Sequence, residues 1–131
     1  MFSIDTTDPA PIWKQIEEGM RRLIALGVLK PGAAVPSMRD LARDLRVNPN
    51  TVARAYQRLT EAGVLAVRRG EGTFVADQPA QPRKSEKHEM LREAANRYIS
   101  AAVAAGAGLD EAREAVEAAY QRLMREERKR A

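Results

Sequence analysis

Apolar positions recur with the period of an α-helix in several stretches of this chain and alternate weakly in one. From Ile12 to Leu26 the stripe is Ile12, Ile16, Met20, Leu23 and Ile24, which predicts an amphipathic helix. Trp13 sits beside the stripe and is read as core packing. Ahead of it, Met1 to Ala10 reads as extended, with Phe2 and Ile4 over part of the core. Asp8-Pro9-Ala10-Pro11 is the helix entry. Gly27 caps the helix and Lys30-Pro31-Gly32 is a turn. Ala33 to Pro36 has the makings of a very short strand.

The stretch Ser37 to Ala62 organises the rest. Ser37 is an N-cap whose oxygen can accept from the N–H of Asp40, and Asp40 stands where a capping box carries its acid. Leu41, Ala42 and Leu45 then share one face, and Arg46-Val47 breaks the helix without proline or glycine. Asn48 caps the next helix and Pro49 fits its first position, where an N–H would have no partner. Val52, Ala55, Tyr56 and Leu59 should face the core, while Asn50, Thr51, Arg54 and Arg58 fall on the other side. Gly63 ends this helix, because glycine tolerates a left-handed backbone. The exposed N-terminal end of the second helix thus carries short hydrogen-bonding groups with arginine one turn on. Base edges and phosphates in a DNA groove call for that combination.

Val64 to Arg68 alternates as a strand, Arg69-Gly70-Glu71-Gly72 is a hairpin turn and Thr73-Phe74-Val75 returns. Arg68 and Arg69 flank the tip. Asp77 to Lys87, with Pro79 and Pro82, reads as a linker. His88 to Ala105 is a helix with Leu91, Ala94, Ala95, Tyr98, Ile99, Ala102 and Val103 on one side. Gly106-Ala107-Gly108 breaks it. Asp110 caps a last helix, whose stripe is Ala112, Ala115, Val116, Ala119, Tyr120 and Leu123. Its acidic and basic residues are spaced for i,i+4 pairs, and Arg125 to Arg130, charged all round, is expected to fray. Two alanine-rich helices of this size cannot enclose a core alone, so burial favours pairing with a second copy.

Taken in order, several motifs resemble the winged helix-turn-helix of the GntR family of bacterial transcription regulators. They are Pro11-Ile12-Trp13-Lys14-Gln15-Ile16, Val35-Pro36-Ser37-Met38-Arg39-Asp40-Leu41-Ala42, Gly63-Val64-Leu65 and Gly70-Glu71-Gly72-Thr73-Phe74-Val75. Val47 to Tyr56, read VNPNTVARAY, is similar to the recognition helix of the short-tailed YtrA subfamily. The tail is too short for the effector domains of other branches and resembles that subfamily's two-helix dimerisation unit. The resemblance implies a fold that is mainly α with a small β-wing. A winged helix-turn-helix DNA-binding domain would occupy residues 1–76, a linker 77–87 and a helical dimerisation domain 88–131.

It implies a sequence-specific, dimeric repressor on a palindromic operator in double-stranded DNA, in a subfamily that often controls neighbouring transporter genes. Arg39 matches the family's DNA-contacting arginine, and Gly70 the wing-tip glycine that approaches the minor groove. The DNA-binding set is then Ser37, Arg39, Asn48, Asn50, Thr51, Arg54, Arg58, Arg68, Arg69 and Gly70. Long-tailed members carry arginines where this chain has Pro49 and Ala53, so base contacts do not carry over there.

Composition adds bounds. The 131 residues suit one or two small domains, and the net charge of +4 favours a polyanionic partner modestly. Without cysteine there is no disulfide, thiol chemistry or zinc finger. No signal peptide or membrane span is read, so a cytoplasmic protein is expected. His88 is read as a polar surface residue. No catalytic constellation, metal site or cofactor is expected, pyridoxal included. An effector, if one binds, is not named by any cluster. The alternative reading is a protein-interaction or non-specific architectural DNA-binding module. Steep loss of DNA binding with salt would separate DNA binding from protein interaction.

Overall fold

A computed structural model describes residues 1–129. In order, they form α1 (Ile12–Ala25), α2 (Met38–Leu45), α3 (Pro49–Glu61), β1 (Leu65–Arg68), β2 (Gly72–Val75), α4 (Lys84–Ala104) and α5 (Leu109–Lys129). The chain divides into two compact units, Met1–Ala80 and Gln81–Lys129. Arg130 and Ala131, the end of the expected tail, lie outside the described residues.

The first unit has one core. Ile16, Met20 and Leu23 of α1 meet Leu41 and Ala42 of α2, Val52, Ala55, Tyr56 and Leu59 of α3, and Val64, Leu65 and Val75 of the hairpin. Each large aliphatic buried there contributes about 1.5–3 kcal/mol, against about 1 kcal/mol for a helix cap. Burial therefore sets how the helices pack, and the caps set where they begin. Phe2 is 5% exposed and joins this core from the N-terminal arm. The arm is tied to α1 by a reciprocal pair: the Asp5 N–H donates to Gln15 Oε1 at 2.9 Å, and Gln15 Nε2 donates to the Asp5 carbonyl at 2.9 Å.

Local sequence accounts for the helix boundaries. The Ser37 hydroxyl accepts from the Asp40 N–H at 3.1 Å, and Asn48 Oδ1 accepts from the Asn50 N–H at 2.8 Å. The Asp40 carboxylate does not complete a capping box, because it accepts instead from Arg43 Nη2 at 2.9 Å. After α3, Gly63 takes φ +80°; its N–H reaches the Thr60 carbonyl and the Val64 N–H reaches that of Leu59. The same pair of bonds closes α2, where the Arg46 N–H reaches Arg43 and the Val47 N–H reaches Ala42. There the left-handed residue is Arg46, at φ 58°, in a conformation that costs a side-chain-bearing residue about 1–2 kcal/mol.

The hairpin pairs Leu65 with Val75, Ala66 with Phe74, Val67 with Thr73 and Arg68 with Gly72. A lone two-stranded hairpin is marginal in water. Here the segment ahead of α2 adds a third run. Ala34 bridges Phe74, the Val35 N–H donates to the Thr73 carbonyl at 3.0 Å, and the Val75 N–H donates to the Ala33 carbonyl at 2.8 Å. The expected short strand is thus a single bridge.

The second unit is α4 and α5. Tyr98 Oη donates to the Ala112 carbonyl at 2.8 Å, and Ala112 is buried. Three expectations are corrected here. α4 begins at Lys84 rather than His88, inside the stretch assigned to the linker. Its first turn is polar, so it carries no apolar period to be read. Asp110 lies within the first turn of α5, which opens at Leu109, so it is not the cap. α5 also stays helical through Lys129 instead of fraying from Arg125. Arg113 pairs with Asp110 three residues away, at 3.8 Å.

Candidate nucleic-acid interface

α2 and α3 form the two-helix unit the spacing predicts, with the hairpin of β1 and β2 following. At the N-terminal end of α3, Asn48 and Asn50 are exposed and Thr51 is half-buried. Asn48 has its oxygen committed to the cap, which leaves the NH2 of its amide for a further partner. Arg39 is exposed in the first turn of α2, beside Ser37. The free N–H groups at a helix start attract anions, and these two starts carry polar side chains as well.

On the next turn of α3 the arginines are not loose. The guanidinium carbons of Arg54 and Arg58 each lie 4.6 Å from the centroid of the Trp13 ring. Arg58 Nε also donates to Glu17 Oε2 at 3.1 Å. Trp13 is partly buried against the core, as its position beside the stripe predicts. Its two cations are a feature that sequence reading misses. The signal was present in two spacings: Trp13 and Glu17 stand four apart on α1, and Arg54 and Arg58 four apart on α3.

Tyr56 faces inward as predicted and is 3% exposed. Its hydroxyl donates to the Pro36 carbonyl at 2.7 Å, which ties α3 to the segment entering α2. Burial pushes its hydroxyl pKa above the ordinary tyrosine value.

At the wing, Arg69, Gly70 and Glu71 are exposed. Gly70 has φ +79°, and a Cβ built there would meet nothing within 4 Å. Backbone conformation, not crowding, therefore asks for glycine at this position. Arg68 lies over the Phe74 ring at 4.1 Å and has Asp77 at 3.8 Å, so it is drawn along the hairpin. Among the described residues no cluster of three or more His, Cys, Asp and Glu could hold a metal ion, and no helix is long and apolar enough to cross a membrane.

The family model for bacterial regulatory proteins, gntR family, matches residues 13–75. The chain is also 35% identical over 114 residues to the HTH-type transcriptional repressor YtrA of Bacillus subtilis, across 87% of this chain and 88% of that one. The chain belongs to the gntR family. Among solved structures it is similar to a transcriptional antiterminator from Listeria monocytogenes EGD-e, at TM-score 0.75 and 31% identity, over 95% of this chain and 92% of that one. AraR(DBD), solved in complex with operator ORX1, matches at TM-score 0.53 and 26% identity, over 58% of this chain and 96% of that one. As a gntR-family protein with a winged helix-turn-helix, the chain is a DNA-binding transcription regulator.

Proposed function

We propose that this gntR-family regulator is a cytoplasmic repressor that binds a palindromic operator as a homodimer. The observation that carries the reading is the exposed polar end of α3, where Asn48, Asn50 and Thr51 lie opposite the buried face of Val52, Ala55 and Leu59. In this reading Asn48, Asn50, Thr51 and Arg54 work in or beside the major groove, with Ser37 and Arg39 next to them. Arg68, Arg69 and Gly70 face the minor groove. The likeness to a YtrA repressor and to an operator-bound AraR(DBD) supports it.

The dimer is supported by the apolar surface of the second unit. Leu109 is 61% exposed, Val116 50% and Tyr120 59%, on a pair of helices that buries only Ala112 among its apolar side chains. A second copy would cover that surface. It would also present two recognition helices to half-sites about one helical turn, ~34 Å, apart. Val116→Arg should then yield a monomer in sedimentation equilibrium; an unchanged dimer would move the interface elsewhere.

Binding to the protein's own promoter, against unrelated DNA at two salt concentrations, tests the function. Preference that survives the higher salt establishes sequence-specific regulation. Equal binding to both, vanishing with salt, points to a non-specific architectural role. No DNA binding at either salt turns the fold toward a protein partner.

A further inference from the structure

We propose that Trp13 is a positioning residue for DNA recognition: its ring holds the Arg54 guanidinium ready for an operator phosphate, while Arg58 braces α3 against α1. The proposal rests on the reading of α3 as the recognition helix. Both guanidinium carbons lie 4.6 Å from the centre of one indole ring. Their electrostatic situations differ. Arg58 is paired with Glu17 at 3.1 Å; the Glu17 side chain is 13% exposed and the Arg58 side chain 49%, so Arg58 keeps one side to water while its charge is balanced by a carboxylate held against the protein. Among the described residues Arg54 has no carboxylate partner and donates no hydrogen bond to the protein, and it is exposed. Its charge stays available, and none of its N–H donors is spent.

The location favours phosphate over base. Arg54 is one turn beyond the helix start, on the flank that meets α1, whereas base edges are reached from the N-terminal end. Phosphates border the groove and fix the register of the protein on DNA. An arginine immobilised only on binding loses rotamer freedom at that moment. Holding it beforehand over an aromatic face removes that loss, which corresponds to about a two- to tenfold gain in affinity. Glu17 adds selectivity between the two arginines: by taking Arg58 it leaves the ring's second cation as the one that meets DNA.

The test is a double-mutant cycle on promoter DNA across a range of salt. Trp13→Leu is expected to weaken binding about two- to tenfold. Arg54→Ala should weaken binding and reduce the salt slope by about one. Trp13→Leu should cause no further loss once Arg54 is alanine. Trp13→Phe keeps a ring and should recover most of the affinity. Arg58→Ala should leave the salt slope unchanged and lower the unfolding midpoint. The proposal is overturned if Trp13→Leu binds as the parent does, if its loss is the same with and without Arg54, or if Trp13→Phe is as weak as Trp13→Leu.

Trp13 is the single tryptophan, so its emission gives a measurement that needs no change at Trp13 itself. Arg54→Ala should shift the emission of the free protein, and an identical spectrum would remove the contact. A parent chain with no preference for its promoter would instead overturn the DNA-binding reading, and the emission spectrum would still judge the contact.

Discussion

Replacing Gly19 by alanine should destabilise the protein, although it places a better helix former in the interior of α1. A Cβ at Gly19 would lie 2.7 Å from Cγ and Cδ2 of Phe2 and 2.9 Å from Cδ1. Those atoms are the root of the ring, so rotating the ring does not clear the clash and the N-terminal arm itself must move. Phe2 is 5% exposed, and expelling it returns a phenylalanine to water at a cost of about 1.5–3 kcal/mol. Against that, alanine gains about 1 kcal/mol over glycine in a helix interior. The net effect of Gly19→Ala is a loss of about 0.5–2 kcal/mol. In a Phe2→Ala background the clash is gone and the same change should stabilise by about 1 kcal/mol, reversing sign. Urea unfolding of the four proteins in this cycle measures both values. Stabilisation by Gly19→Ala with Phe2 present would refute the seating of Phe2 against α1.

Tyr56→Phe should cost about 1–2 kcal/mol in unfolding, because the Pro36 carbonyl loses its donor. The folded pKa of Tyr56 is raised above an unfolded value of about 10, so its stabilising contribution is complete below that pH and falls as pH rises beyond it; Tyr56→Phe should flatten the alkaline fall seen in melts above about pH 10. Arg46→Gly should raise stability by about 0.5–1 kcal/mol, since glycine takes φ 58° without a Cβ penalty but loses more entropy on folding; a lower unfolding midpoint would contradict that account. Arg39→Ala should weaken operator binding by about 1–3 kcal/mol in a fluorescence-anisotropy titration if Arg39 makes a bidentate base contact, and unchanged affinity would remove it from the interface.

What the sequence determines by itself is what depends on neighbours along the chain. Ser37 and Asn48 cap helices because the N–H they accept from is two or three residues away. Gly63 and Gly70 mark turns because a positive φ is a property of one residue. The stripes of α1 and α3 assign the inner face because the helical period is local, and the polar end of α3 becomes legible as the complement of that face. Where local signals were weak, the reading failed: the first turn of α4 has no apolar period, and Asp110 fits either a cap or a first turn.

Tertiary structure decided the pairings between distant residues. Phe2 against Gly19 depends on how the arm folds back, which no period encodes. Tyr56 and Pro36 are 20 residues apart, and Arg58 and Glu17 are 41 apart. Residue types and spacing said that Arg54 and Arg58 share an exposed face and did not give the partner of either. Only the packing of α3 on α1 set both beside Trp13 and gave one of them a carboxylate. The physical reason is that a side chain's charge and apolar surface are known from its identity, whereas the partner that cancels or covers them is fixed by where the burial of the common core brings separate helices together.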